Sequence, residues 1–381
     1  MTDLLTLGET MVSVRTERPM RLGGDAHLSI AGSESNVAIG VARLGHDVTW
    51  LSAVGNDEPG RLIQRTLRAE NVRTRIRFSD EAFTGFIAFD QPSHDITRVS
   101  YHRRGSAAST LTPSEITAAI AELSPRLLHV TGITPALSES ARAATLAAVR
   151  TTTAQVSLDV NYRSRLWSRA DAATALRELL PYVHTIFASD DELDLLTDAE
   201  DPITDLLRTV QTVVVTAGPK GAWSHTKTPT TPPPAPHLPA TPTAPPANAP
   251  LPATPTPEPL PATPAAPTAD APTTPPAATP GALTADAPLT AAPAAPVAAS
   301  AEVLTIHRPA LPVTVVDSIG AGDAFVSGYL SATLDNLSPE ARLDRATTSG
   351  AFCVTAYGDW ESLPTRQDLT LLTHTQGTAL R

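Results

Sequence analysis

Apolar residues recur along this chain in two rhythms. Short runs rich in leucine or β-branched residues, Leu4–Leu7, Val48–Val54, Leu127–Val130, Val156–Val160, Ile186–Ala188 and Val213–Val215, have the length and composition of buried strands. Between them, apolar residues return at helical spacing: Val37, Ala38, Val41 and Leu44 with Gly45 as a stop, then Arg61 to Glu70, and later Phe325, Gly328, Tyr329 and Ala332. Alternation of strand and helix predicts a three-layer α/β fold, a mostly parallel sheet covered on both faces. Two stretches break the rhythm, Val12–Ile30 and Val72–Tyr101, where Phe83, Gly85, Ile87 and Phe89 alternate as in strands. They predict a small second sheet from about residues 12–30 and 72–104, projecting from the main domain, or an ordinary edge hairpin.

Residues 228–300 belong to another composition class. They hold 24 of the chain's 37 prolines, no Lys or Arg and no aromatic residue, and they repeat Leu-Pro-Ala-Thr-Pro at 238, 251 and 260. Such a segment cannot bury a core and is expected to be a disordered, polyproline-like insert. It divides the chain into a first part, 1–227, and a second part, 301–381, and interrupts a hairpin from Trp223 to Val303. Without those 73 residues the chain would have 308. The purpose of the insert, and any partner it binds, cannot be read from its residues.

Charge and cysteine content narrow the function. A net charge of -11 and a pI near 5.3 disfavour nucleic acid or an anionic membrane as partner, and the only lysines are Lys220 and Lys227. One cysteine, Cys353, in the apolar run Ala351–Val354, excludes an intramolecular disulfide and fits a reducing cytoplasm. No apolar run reaches membrane-spanning length, and the N-terminus lacks the pattern of a signal peptide.

The chemistry concentrates in Asp317-Ser318-Ile319-Gly320-Ala321-Gly322-Asp323-Ala324-Phe325. Pro312–Val316 upstream reads as a strand, so the stretch is expected to be a strand-to-helix turn. Two glycines there allow a tight bend that aims backbone N–H groups at one point, at the positive end of a helix dipole, as a phosphate requires. A carboxylate beside that hole is poorly placed to hold phosphate and well placed to accept the proton of an attacking hydroxyl. No Gly-x-x-x-x-Gly-Lys occurs, which excludes a P-loop.

The nine-residue stretch resembles the signature of ribokinase-like (PfkB-type) carbohydrate kinases. That resemblance implies an anion hole from Gly320, Ala321 and Gly322, Asp323 as catalytic base, and Asp317 beside a monovalent cation such as K+. It implies ATP and Mg2+ as cofactors. The loop Ala31–Asn36 resembles the family's sugar-binding loop, with Gly32 and Asn36 toward the sugar and Ala31 where a glycine is usual. Ser189-x-x-Glu192 resembles an Asn-x-x-Glu motif that orders magnesium-bound water, so Glu192 is expected to act on Mg2+ indirectly; the acids there also read simply as a helix start. Thr216, Gly218 and Gly221 resemble the nucleotide-binding turn. The resemblance also implies that the small sheet, residues 12–30 and 72–104, is a lid over the sugar, which would exclude water from the reaction.

Three further segments are similar to the 2-dehydro-3-deoxygluconokinase branch of that family: Tyr101–Ser109, Leu127–Ser138 and Val156–Trp167. The likeness places Tyr101, Arg103, Ile133 and Arg163 at an acid sugar, with Asn161 and Arg163 also able to serve ATP. A guanidinium grips a carboxylate through two parallel hydrogen bonds. Ile87 stands where that branch often has tyrosine. The expected reaction is phosphorylation of a primary hydroxyl of a sugar acid, 2-dehydro-3-deoxy-D-gluconate at O6 first among them. A kinase for a neutral sugar such as fructose, and a non-catalytic sugar-binding or scaffold protein acting through the insert, are the alternatives. Pairing of two copies through the lid, and a surface helix with a loose end in the tail from Pro364 to Arg381, are further expectations.

Overall fold

A computed structural model describes residues 2–93, 96–228 and 302–373. The elements run β1 (Leu4–Leu7), β2 (Met11–Arg15), β3 (His27–Ala31), α1 (Ser33–Arg43), β4 (Val48–Gly55), α2 (Glu58–Ala69), β5 (Arg73–Ser79), β6 (Phe86–Ser93), β7 (Ile96–His102) and α3 (Pro113–Leu123). They continue with β8 (Leu127–Thr131), α4 (Glu139–Thr151), β9 (Gln155–Asp159), α5 (Arg169–Leu179), β10 (Thr185–Ser189), α6 (Pro202–Thr209), β11 (Thr212–Thr216), β12 (Ala222–Lys227), β13 (Val303–Arg308), α7 (Ala321–Leu334) and α8 (Pro339–Cys353).

Nine strands form one sheet in the order β13-β12-β11-β10-β9-β8-β1-β4-β5, parallel from β5 to β11 and antiparallel for β12 and β13. The period-2 alternation of its strands feeds two cores. Leu5, Leu7, Leu128, Val130, Ile186 and Val213 point to the face packed by α3, α4, α5 and α6. Leu4, Leu127, Phe187 and Val214 point to the other, packed by α1, α2, α7 and α8. Burying one such leucine contributes about 1.5–3 kcal/mol before chain entropy is counted, so the continuous apolar strands are what commit the chain to a sheet covered twice. The three-layer α/β architecture expected from the sequence is the one found.

The lid is a four-stranded sheet, β3-β2-β6-β7, antiparallel except where β2 runs alongside β6. Residues 73–79, expected with the lid, are β5 instead and pair in parallel with β4 at the edge of the large sheet. Arg75 and Arg77 pair with Glu122 and Glu115 of α3, while Ile76 between them packs toward α2, as an edge position allows.

Three other expectations are corrected. Pro312–Val316 is not a strand: Val315 is 63% and Val316 41% exposed, and Pro309 and Pro312 lack the N–H groups that would have extended the ladder beyond Arg308. The acidic segment after Ser189 makes only a turn and a single 3-10 turn at Leu193–Leu195, because Glu192 folds back onto backbone amides rather than starting a helix. The expected tail helix from Pro364 is a 3-10 turn at Asp368–Thr373, and residues 374–381 lie outside the described residues. The proline-rich insert lies, but for Thr228, outside them as well. The strands on either side of it are paired, Trp223 with His307 through Lys227 with Val303, and Thr228 N donates to Glu302 O at 2.8 Å. Among the described residues no helix is long and apolar enough to cross a membrane.

Candidate active site

A cleft of about 1030 Å³ lies where the carboxyl ends of β8, β9, β10 and β11 meet the N-termini of α1 and α7, with the lid strands β2, β6 and β7 forming its opposite wall. Carboxyl ends of parallel strands are where an open α/β sheet collects ligands. Gly32, Asn36, Tyr101, Arg103, Ile133, Asn161, Arg163, Glu192, Thr216 and residues 320–323 all line it, although they come from sequence positions nearly 300 residues apart.

Gly320 caps α7 in the left-handed region at φ 78°, where a side chain would also lie 2.1 Å from the Asp359 carbonyl. Only glycine makes that turn without strain. No side chain caps α7; Ala321 N donates to Ser318 O at 3.4 Å, which leaves the amides of Gly322 and Asp323 for a ligand, and a Cβ at Gly322 would meet nothing within 4 Å. The turn therefore presents open space and donors together, the requirement for an anion hole.

Asp323 follows in the first turn of α7, only 9% exposed. Ser33 Oγ donates to its Oδ1 at 2.6 Å and Asn36 Nδ2 donates to its Oδ2 at 2.8 Å. Ser33 and Asn36 are three residues apart in the first turn of α1 and so share one face. Two helix N-termini thus converge on one carboxylate. Burial pushes its proton affinity above the usual carboxylate range, while the two donors and the Arg163 charge pull it back down.

A second carboxylate stands nearby. Asp159, at the end of β9, accepts from Asn161 Nδ2 at 3.2 Å, and the same amide nitrogen reaches Ser33 Oγ at 2.8 Å. Burial, then the Glu192 and Asp323 charges, hold Asp159 well above the normal range. Glu192 accepts Tyr162 N at 2.7 Å and Ser189 N at 2.9 Å, so both its oxygens are fixed by backbone. The sequence reading passed over Asp159 and Ser33. Position at a strand's carboxyl end could have suggested the first, but nothing local suggests the second.

The cleft's cations divide into two groups. Arg103 is held by buried Glu9, with Nη2 2.5 Å and Nε 2.6 Å from Glu9 Oε2, and Ser106 Oγ closes on the other oxygen. Arg104, Arg163 and Arg165 are exposed and have no carboxylate partner among the described residues; Arg165 Nη1 donates instead to Val99 O of the lid at 2.9 Å.

Three expected residues lie outside the cleft. Gly218 forms a 3-10 turn after β11, and Gly221, at φ 94°, packs so that a Cβ would sit 2.0 Å from Arg308 O. Asp317 accepts Ile319 N at 3.1 Å and lies 3.4 Å from Arg15. Gly32 lines the cleft, but a Cβ there would strike Glu9 O at 2.5 Å, so packing against β2's approach also requires its small size.

The chain is 29% identical over 382 aligned positions to 2-dehydro-3-deoxygluconokinase of Bacillus subtilis, covering 96% of this chain and 94% of that protein. It is 35% identical over 232 positions to 2-dehydro-3-deoxygalactonokinase of Haloferax volcanii, covering 58% and 73%. The crystal structure of a PfkB protein from Polaromonas sp. JS666 superposes with a TM-score of 0.69 at 25% identity, covering 97% of this chain and 99% of that one. A ribokinase II structure from E. coli in complex with ATP and Mg2+ shares the fold, with a TM-score of 0.71 at 18% identity over 98% and 99% of the two chains. Residues 1–241 and 289–366 match the pfkB family carbohydrate kinases, and the chain belongs to that family.

Proposed function

We propose that this kinase transfers the γ-phosphoryl group of ATP to the primary hydroxyl of a sugar acid, with 2-dehydro-3-deoxy-D-gluconate, phosphorylated at O6, as its substrate. The observation that carries the reading is Asp323: a buried carboxylate in the cleft, one residue beyond an uncapped glycine turn, held by donors on both oxygens. In this role Asp323 accepts the proton of the attacking hydroxyl, and the amides of 320–322 face the charge that develops on the transferred group. Arg163, with Arg104 and Arg165 beside it, supplies cationic groups for an acid substrate, and Tyr101 on the lid wall covers it. Thr216 and Asn161 border the space left for nucleotide.

Kinases of this family use ATP with Mg2+, and Glu192 suits an indirect part in holding the ion. Its oxygens are fixed by two amides and it lines the cleft, where its remaining lone pairs are the acceptors for metal-bound water. When bound, the ion neutralises charge on the phosphates. Asp317, whose Oδ2 lies 3.4 Å from Arg15 Nη2 without a hydrogen bond, is the residue we assign to a monovalent cation such as K+, which turnover with and without K+ tests.

The relatives named for 2-dehydro-3-deoxygluconate and 2-dehydro-3-deoxygalactonate support an acid substrate. The pairing of Arg103 with Glu9 favours a second reading, a neutral sugar, because that guanidinium's charge is already matched within the protein. A fructokinase of Klebsiella pneumoniae, 32% identical over 181 positions, stands on that side. ADP release with Mg-ATP and 2-dehydro-3-deoxygluconate, gluconate, fructose and ribose in parallel separates the two. Turnover confined to the keto acid is expected; preference for fructose overturns the acid reading. Asp323→Asn is expected to lower kcat at least about 1000-fold with sugar binding nearly unchanged, the loss typical of a missing base and its charge.

A further inference from the structure

Ser33 occupies the first position of α1, directly after the N-cap residue Gly32, which has no side chain to cap the helix. The local hydroxyl bond to Gly32 O is made by Ser35, so Ser33 Oγ is not engaged by its own turn. Ser33 Oγ instead crosses to Asp323 Oδ1 at 2.6 Å and receives Asn161 Nδ2 at 2.8 Å. Asn161 is itself held in a left-handed conformation at φ 42°, and its amide nitrogen also bonds Asp159. With a lone pair of its oxygen engaged by the amide, the Ser33 hydroxyl has its proton directed to Asp323.

From this chain of donors we infer that Ser33 is a positioning residue for the phosphoryl transfer: held from behind by Asn161, it fixes the Asp323 carboxylate and stabilises its ionised form. The inference rests on Asp323 being the base. The asymmetry between its two donors is what makes Ser33 informative. Asn36 approaches from the same helix as a rigid amide, whereas the direction of the Ser33 hydroxyl is set by β9's end, so the orientation of the carboxylate depends on three elements at once. Other ionisable groups act on Asp323 as well: the Arg163 guanidinium favours its charge, and Asp159, Glu34, Cys353 and Asp359 surround it on the sides of β9, α1, the end of α8 and the loop after it. Those groups are unchanged in a Ser33 variant, so a shift seen there reports the hydroxyl.

The test is the pH dependence of kcat for full-length protein carrying Ser33→Ala, Ser33→Thr or Asp323→Asn, assayed with the best sugar found above. Loss of a hydrogen bond to a carboxylate raises its proton affinity, so Ser33→Ala is expected to lower kcat about 10-fold and move the acid limb of the profile to higher pH, with KM for the sugar changed less than about 3-fold. Ser33→Thr keeps the hydroxyl and is expected to recover both kcat and the limb. If Asp323→Asn is inactive while Ser33→Ala keeps wild-type kcat and limb, the inference about Ser33 fails alone. It fails equally if Ser33→Thr is no better than Ser33→Ala. If Asp323→Asn turns over like wild type, or wild type turns over nothing, the reading of the base fails and the inference falls with it.

Discussion

Glu34 has no exposed surface, accepts Thr131 Oγ1 at 2.6 Å and Thr134 Oγ1 at 2.7 Å on one oxygen, and leaves the other without a partner. An ionised carboxylate with an orphaned buried oxygen is costly, and burial pushes this one up from 4.5 to about 7. The native state therefore binds a proton that the unfolded chain has already released between those two values. Stability from this residue is full below about pH 4.5 and declines as pH rises to about 7, by an amount on the order of 3 kcal/mol. Glu34→Gln keeps an acceptor for the threonines and removes the titration. Its melting temperature is expected to gain on wild type between pH 5 and pH 8; a gap that stays constant with pH would show that Glu34 is ionised throughout. At this scale the sequence was a partial guide. Asp323 and Asn36 were legible because each sits in a local motif with its turn. Ser33 and Glu9 were not, since their partners, Asp323 and Arg103, are 290 and 94 residues away and no periodicity encodes such a pairing.

Elements were most legible where burial on both faces produced continuous apolar strands, and least where proline or an edge position intervened. Val313–Val316 has strand composition without strand hydrogen bonding, and β5 looked like lid because its arginines alternate as an exposed strand's do. The join between lid and main body is likewise made by single side chains. Asp57 caps α2 through Gly60 N at 2.8 Å, and also accepts Thr84 N at 2.9 Å and Thr84 Oγ1 at 2.6 Å, just before the lid strand β6; Thr84 Oγ1 in turn accepts Gly55 N at the end of β4. Burial raises the Asp57 carboxyl's proton affinity, but the Thr84 and Gly60 donors outweigh it and leave the group below its ordinary value. Losing a helix cap and two further bonds to a carboxylate makes Asp57→Ala less stable by about 2–3 kcal/mol at pH 7. A depressed folded-state value means that this stabilisation is present above about pH 4 and lost as pH falls further. Urea midpoints at pH 7 and pH 3 check both points: the difference from wild type is expected to shrink at the lower pH, and an equal difference at both would assign the effect to packing alone.

The whole molecule keeps a kinase domain closed around a long interruption. The family match resumes at residue 289 after leaving out 242–288, and the hydrogen-bonded pairs continue to the last described residue on each side, Thr228 and Glu302. β12 and β13 form the far edge of the nine-stranded sheet from the lid, and residues 303–308 lead directly through 309–319 to the glycine turn and Asp323. That edge thus sets where the anion hole begins, and its register has to survive whatever joins the two strands. A two-residue Asn-Gly connection suits antiparallel strands in this arrangement, and a shorter connection costs less closure entropy than a long flexible one. Replacing residues 229–301 by Asn-Gly is therefore expected to leave kcat and KM within about 3-fold of wild type and the melting temperature unchanged or slightly higher, a small effect because loop closure grows only logarithmically with length. Loss of turnover in a variant that still melts cooperatively at the wild-type temperature would mean that the proline-rich segment takes part in the reaction. Loss of the cooperative transition itself would mean that it helps hold β12 and β13 in register.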